Sequence, residues 1–313
     1  MSIVHYLGAD VAKDTIELHA ETIKLPKQIT NNAAGLARLV KVCAGQRVHL
    51  VCEATGAYHR ALREACAGAD IPLTIANPAQ IRAFAKGKGR HAKTDRLDAY
   101  VLWLFGQGET PAPTPPPTQT EQAMAAWSAR RAQLLTMRAQ EKNRRQVPGL
   151  SPIMLAAINE HLAFLNRQLT VCDQALAAVV AASATLTHQV NLLTQVSGVG
   201  PTTAITLLAV MPELGTLNKR AVARLAGLAP LDRSSGKHLP PGHIGGGRLP
   251  VRRALFMAAF SARQHDPRLR AFYEHLRAKG KPYRLCLTAV MRKLLIRLNA
   301  IIKTHPLTPQ KNT

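Results

Sequence analysis

The chain has 313 residues and carries 41 Lys and Arg against 18 Asp and Glu, for a formal charge of +23. That length holds two domains with cores of their own, and positive charge spread along the chain and thickening after residue 217 suits a protein that tracks a polyanion backbone. No apolar run reaches the roughly 18 residues of a transmembrane helix, no basic-then-apolar leader opens the chain, and five scattered cysteines without a C-x-x-C pair exclude a zinc or disulfide framework.

These features read as a cytoplasmic, nucleic-acid-facing protein with no membrane partner. Ile3 to Gly8 is a short apolar strand ending near Asp10, and Thr15 to Ala20 alternates as a half-buried strand does. Ile23 to Thr30 is a weaker third strand, confined to an edge by Pro26. After a cap at Asn31-Asn32, the positions Leu36, Leu39, Val40 and Cys43 space one buried helix face. Val48 to Cys52 is an apolar strand that delivers Glu53 at its end. A helix over Tyr58 to Ala67, a strand over Ile71 to Ala76, and helices over Pro78 to Lys86 and Asp95 to Phe105 complete the first part. Three consecutive strands followed by alternating helices and strands imply a mixed sheet covered by helices.

Pro111 to Pro117 cannot continue a helix or a central strand and reads as a stiff extended spacer, so a domain boundary falls there. Residues 1–110 form the first domain and 111–118 the linker. Thr120 to Arg145 is rich in helix formers. In the next segment Leu155, Ile158, Leu162, Leu165, Leu169, Cys172, Leu176 and Val179 are spaced alternately by three and four. That repeat fits a coiled coil, an antiparallel hairpin or a pairing with another subunit, and equally an ordinary bundle helix; it marks 119–190 as a helical region. Val196-Ser197-Gly198-Val199-Gly200-Pro201 is open between a phosphate-facing turn and a plain helix-helix turn. Residues 191–313 form a basic, mainly α-helical domain. Its stretch from Lys219 to Arg253 has eight Lys or Arg and one acid, Asp232, around a glycine-rich loop from Leu231 to Gly247.

Four carboxylates stand where chemistry would want them. Asp10 follows the first strand, Glu53 ends the fourth, and Asp95 and Asp98 share one face of a helix. In a ribonuclease-H-like sheet the first and fourth strands are neighbours, so the four converge, and hard oxygen ligands in that number suit Mg²⁺ or Mn²⁺. Two such ions stabilise the attacking and leaving oxygens of phosphoryl transfer. Taken alone, Asp95 and Asp98 read equally as acids at a solvated helix start.

The stretches Gly8-Ala9-Asp10-Val11-Ala12-Lys13, Cys52-Glu53-Ala54-Thr55-Gly56-Ala57-Tyr58, Asn77-Pro78 and Lys93-Thr94-Asp95-Arg96-Leu97-Asp98-Ala99 resemble the N-terminal motifs of the DEDD insertion-sequence transposases, a family that includes Piv-type DNA invertases. Leu225-Ala226-Gly227-Leu228-Ala229-Pro230, Ser235-Gly236 and Leu249 to Met257 resemble its C-terminal domain. The resemblance covers nearly the whole chain and holds in order as well as content. It implies a RuvC-like domain, a coiled-coil middle and a C-terminal transposase domain. It implies a recombinase acting on DNA, with Asp10, Glu53, Asp95 and Asp98 as metal ligands and Ser235 as nucleophile, beside the adjacent Ser234. It further implies a structured guide RNA and a homo-oligomer, a dimer or tetramer, with sites composed from different subunits. A RuvC-type junction nuclease would need the acids but neither Ser235 nor the long basic C-terminal half. An actin-like sugar kinase lacks its second phosphate loop here, and a non-catalytic nucleic-acid-binding protein has no reason to keep four spaced acids amid so much positive charge.

Overall fold

The protein is described from a computed structural model over residues 4–54, 58–89, 95–231 and 243–305. It divides into two units, Met1–Pro117 and Thr118–Thr313.

Unit 1 is built on a five-stranded mixed sheet of β1 (His5–Val11), β2 (Thr15–His19), β3 (Gln28–Thr30), β4 (Val48–Glu53) and β5 (Leu73–Ala76), in the order β3-β2-β1-β4-β5. β2 runs antiparallel to both its neighbours, whereas β1, β4 and β5 are parallel. The first and fourth strands are therefore neighbours, in an arrangement compatible with a ribonuclease-H-like domain. The third strand is shorter than the sequence pattern predicts. Only Gln28 to Thr30 join the ladder, and Pro26, which lacks an N–H to donate, lies before it.

Alternation along the strands sorts the side chains into two layers. Leu7, Ala9, Val11, Ile16, Leu50 and Cys52 face α1 (Ala33–Cys43) and α2 (His59–Gly68). Val51 and Ala76 face the other way, against α3 (Pro78–Gly87) and α4 (Asp95–Glu109), where Leu102 and Phe105 are buried. Asn32 caps α1 by accepting from the Gly35 N–H at 3.0 Å, and Asn77 caps α3 by accepting from the Ala79 N–H at 2.9 Å, so an Asn starts each helix.

The proline-rich segment is not a free spacer. Thr114 donates its N–H to Leu73 O at 2.8 Å and accepts from the Ile75 N–H at 3.0 Å, while Ala112 O accepts from the Thr74 hydroxyl at 2.9 Å. Ala112 and Thr114 alternate with prolines, so the residues with bonding capacity line one side and cover the outer edge of β5.

Unit 2 opens with α5 (Gln119–Arg145), started by a reciprocal capping box between Thr118 and Glu121. α6 (Pro152–Ala181) returns antiparallel beside it, as the cross-links Arg131–Asp173 at 2.6 Å and Arg138–Asn166 at 3.1 Å require. Leu165, Leu169 and Cys172 bury against Leu134, whereas Leu155 and Ile158 near the hairpin tip are only half-buried. At the other end Met124, Leu176 and Val180 enter a core shared with α7 (Ala184–Thr194), α8 (Pro201–Val210), α9 (Lys219–Leu225), α10 (Leu249–His265) and α12 (Tyr283–Thr304). α11 (Pro267–Ala278) packs against α10 and α12, and Leu287, Val290, Leu294 and Leu298 of α12 are fully buried. No single helix among the described residues is long and apolar enough to cross a membrane.

Packing explains one of the two glycines in the turn before α8. Gly198 has φ +87°, and a Cβ there would lie 2.5 Å from Ala262 N and 2.6 Å from Ala258 O, so this turn sits directly on the α10 backbone. Gly200 is the N-cap of α8.

Candidate active site

Gly8 fixes the geometry of the acid face. A Cβ at this position would stand 1.9 Å from Ala99 O and 2.5 Å from Trp103 N, so α4 rests on the bare backbone of β1. Two residues earlier on the strand, Tyr6 lies against Gly106. As β1 runs from Tyr6 through Gly8 to Asp10, α4 is therefore met in the reverse order, and its first turn comes over the Asp10 end. Asp10 shares the α4 face with Gly8 because side chains repeat every second residue. Glu53, two residues after Val51, shares it too, on the neighbouring parallel strand. Asp10, Glu53 and Asp98 are all half-buried. Asp95 opens the helix; its side chain lies outside the described ones.

An aromatic group locks this helix in place. The ring of His19, whose register partner is Gly8, meets Tyr100 and Trp103 edge-on at 5.0 and 5.2 Å. Burial pushes the His19 pKa down, with Glu21 acting partly against it. Beneath the acids, burial pushes the Cys52 thiol up to about 12, with Cys66, Asp10 and Glu53 adding to the rise and Arg63 opposing it.

The register also shows an acid that pattern reasoning missed. Glu17 is the cross-strand partner of Asp10, so the two share the α4 face, and Gln28 donates to Glu17 Oε1 at 2.5 Å. The signal was present in the spacing of the β1–β2 hairpin, which sets Asp10 opposite Glu17. In chemistry the carboxylate set fits a hard divalent cation. Among the described residues no three His, Cys, Asp or Glu side chains are grouped closely enough to hold one.

Ser234 and Ser235 lie outside the described residues, as do Arg233 and Lys237; the described residues on either side of them meet. β6 (Pro230–Leu231) and β7 (His243–Ile244) form a two-residue antiparallel ribbon that brings residues 231 and 243 together. Just below it the chain crosses itself at two glycines with positive φ. A Cβ on Gly247 would lie 2.1 Å from Gly227 N, and one on Gly227 would lie 2.2 Å from Gly246 O. Two arginines at the start of α10 tie this crossing down. Arg252 donates to Ala226 O at 3.2 Å and to Gly246 O. Arg248 holds Glu213 through both nitrogens at 2.6 Å and also donates to Val210 O at 2.9 Å. In the sequence these arginines count only among the eight Lys or Arg from Lys219 to Arg253. Glu213, an acid shortly before a run of cations, was the available sign that one of them is paired.

A DEDD transposase family model named for IS110 matches residues 7–147, and the model described as Transposase IS116/IS110/IS902 family matches residues 190–274. The chain is similar to the pilin gene-inverting proteins of Moraxella lacunata and Moraxella bovis, each 28% identical over 311 residues and covering 96% of both chains. It is also similar to an insertion element IS110 uncharacterized 43.6 kDa protein of Streptomyces coelicolor, 34% identical over 114 residues, which covers 36% of this chain and 28% of that one.

Proposed function

This chain belongs to the IS110 family of transposases, which takes in the Piv-type DNA invertases, and on that premise we propose a DNA recombinase that cuts and rejoins the ends of an insertion sequence with Ser235 as nucleophile. Asp10, Glu53, Asp95 and Asp98 would hold Mg²⁺ or Mn²⁺. The observation that carries this reading is the exit of Asp10 and Glu53 from one sheet face beneath the acid-bearing first turn of α4.

A divalent ion on these carboxylates supplies charge stabilisation for the attacking and leaving oxygens. The residues of the chain do the rest. Gly8 lets α4 sit low over β1, which brings the first turn of α4, with Asp98, over the Asp10 end of the strand. The crossing at Gly227 and Gly247, held by Arg248 and Arg252, fixes the root of the loop that presents the serine. The Ser235 oxygen attacks a backbone phosphorus and forms a serine phosphoester. One bond from phosphorus to a sugar oxygen breaks, and the sugar hydroxyl leaves with the proton. Reversal with a new hydroxyl rejoins the DNA. Arg233 and Lys237 flank the serine and offer charge to the phosphate.

In this reading residues 1–110 form the RuvC-like metal-dependent domain, 119–190 the helical middle and 191–313 the nucleophile domain. The protein works in the cytoplasm as a dimer or tetramer. The charge of +23 supports nucleic acid as partner, and in this reading the partners are DNA and a structured guide RNA. Adducts trapped under denaturing conditions and mapped by mass spectrometry test the chemistry. They should sit on Ser235 and vanish in Ser235→Ala; adducts that persist there, or map to Ser234, reject the assignment. Sequencing of copurifying nucleic acid should return one structured RNA.

A site-specific invertase is the second reading, favoured by the full-length alignment with two proteins named as gene inverters. Inversion of a plasmid segment between paired sites, without insertion elsewhere, would select it.

A further inference from the structure

Three helices of unit 2 meet around one guanidinium. Arg263, in the last turn of α10, places its Cζ 4.6 Å from the centroid of Phe260 on the same helix, 5.0 Å from Tyr273 on α11 and 5.7 Å from Tyr283, the first residue of α12. Tyr273 and Tyr283 meet edge-to-face at 6.3 Å, so the rings brace one another as well as the cation. Nε of Arg263 is buried without a hydrogen-bond partner, and no described carboxylate pairs with the group. The nearest acid in sequence, Asp266, is committed to Arg297 at 2.7 Å and to the N–H groups of Arg268 and Leu269. Around the cage Arg268, Arg277, Lys281 and Arg284 are exposed, and so is Tyr283, at 39%.

A guanidinium held flat by rings, with donors left over, is preorganised for an anion with matching acceptors, and phosphate is the common one. An exposed tyrosine beside it adds a face on which a base can stack. Basic residues combined with aromatic platforms distinguish contacts to unpaired strands from contacts to a duplex, whose bases are already stacked. We propose that the α10–α11–α12 corner is a contact surface for an unpaired stretch of nucleic acid, with a phosphate on Arg263 and a base on Tyr283. The proposal rests on the nucleic-acid reading above and adds the location and the strandedness of the contact.

The test is fluorescence anisotropy of the full chain with a labelled single-stranded oligonucleotide and with the duplex of the same sequence, over a series of salt concentrations. Arg263→Ala and Tyr283→Ala should each weaken single-strand binding by at least about fivefold, the low end of base stacking on an aromatic side chain. Arg263→Ala should also lower the salt slope by about 0.7, one single-strand phosphate. Tyr283→Phe should bind as wild type, because it keeps the ring. Arg263→Lys, which keeps the charge but loses the planar fork, should restore the salt slope and only part of the affinity. Unchanged duplex binding is expected throughout, and urea unfolding of each variant checks that the corner still folds. Wild-type affinity in both alanine variants overturns the proposal. So does an equal loss on duplex, or a Tyr283→Phe variant as weak as Tyr283→Ala. In those outcomes the wild type still binds and the recombinase reading stands, whereas a wild-type chain that binds neither oligonucleotide removes both.

Discussion

Gly8→Ala is the most informative single perturbation, because one methyl group tests both the packing of α4 and the acid face below it. The new Cβ would fall 1.9 Å from Ala99 O, about 1.5 Å short of the 3.4 Å at which ordinary contact begins. The obstructing atoms are the backbone of α4, which cannot swing aside as a side chain would, so the helix must lift or tilt. Overpacking of this kind costs roughly 1–3 kcal/mol. With a urea dependence of about 1–3 kcal/mol per molar, the unit 1 transition should move down by about 1 M. Lifting α4 also moves its acid-bearing first turn off the Asp10 end of β1, so strand cleavage should fall further than nucleic-acid affinity. Gly68→Ala is the control. Its Cβ would meet nothing within 4 Å and it sits at a helix end, so stability should hold or rise slightly. A Gly8→Ala protein with the wild-type urea midpoint and wild-type cleavage would refute the placement of α4 on β1.

Other outcomes follow from the same packing. Burial lowers the pKa of His49, which bonds Thr74 at 2.9 Å and stacks on Tyr6 at 5.2 Å, and it lowers that of His19. The unfolded chain therefore takes up protons first as pH falls, so unit 1 should lose stability as pH drops below the ordinary histidine value of 6.5, and His49→Gln should flatten that dependence of the urea midpoint. Burial raises the thiol of Cys43 to about 11 and those of Cys52 and Cys66 to about 12, so iodoacetamide at pH 8 should label none of the three until denaturant is added. Asp266→Ala removes the cap of α11 and the Arg297 ion pair together, and should lower unit 2 stability by about 1–3 kcal/mol in thermal or urea unfolding. Burial alone would raise the Asp266 pKa, but its bonds to Leu269, Arg297 and Arg268 outweigh this and lower it. Its contribution therefore holds at neutral pH and disappears as pH falls below the ordinary carboxylate range. Asp10→Ala and Asp98→Ala should each abolish strand cleavage while leaving salt-dependent binding in place, as gel assays on one DNA substrate would show.

The parts of this fold that were legible in the sequence are those governed by short-range rules. The alternation of Ile16 and Leu18, the cap at Asn32, and the heptad-like spacing from Leu162 to Leu176 each depend on neighbours a few residues away. The edge placement of the third strand followed from Pro26, but its length did not, since the ladder to β2 decides where pairing begins. Ala112 and Thr114 could not be seen as an edge cover, because nothing local says that a proline-rich segment will find Leu73 and Ile75 as partners. The same holds for Glu17, whose meaning comes from its register with Asp10, and for Arg248, which looks like a surface cation until Glu213 is found across the fold. Sequence order alone suggested that Asp10 and Glu53 end adjacent strands. That α4 covers the face carrying them depends on the backbone contact at Gly8.

The α5–α6 hairpin has the geometry of a lever. Its base is gripped by the unit 2 core through Met124, Leu176 and Val180, while the far end carries Val147, Ile153 and Met154 exposed to solvent. Thirty residues of α6 reach about 45 Å at 1.5 Å per residue. A rotation of about 5° at the gripped end would then carry the tip through about 4 Å, close to the roughly 3.4 Å of helix axis per phosphate of one strand of duplex DNA. Repacking at Leu176 or Val180 that turned the base by that angle would be magnified at the tip to about the axial length of one nucleotide step.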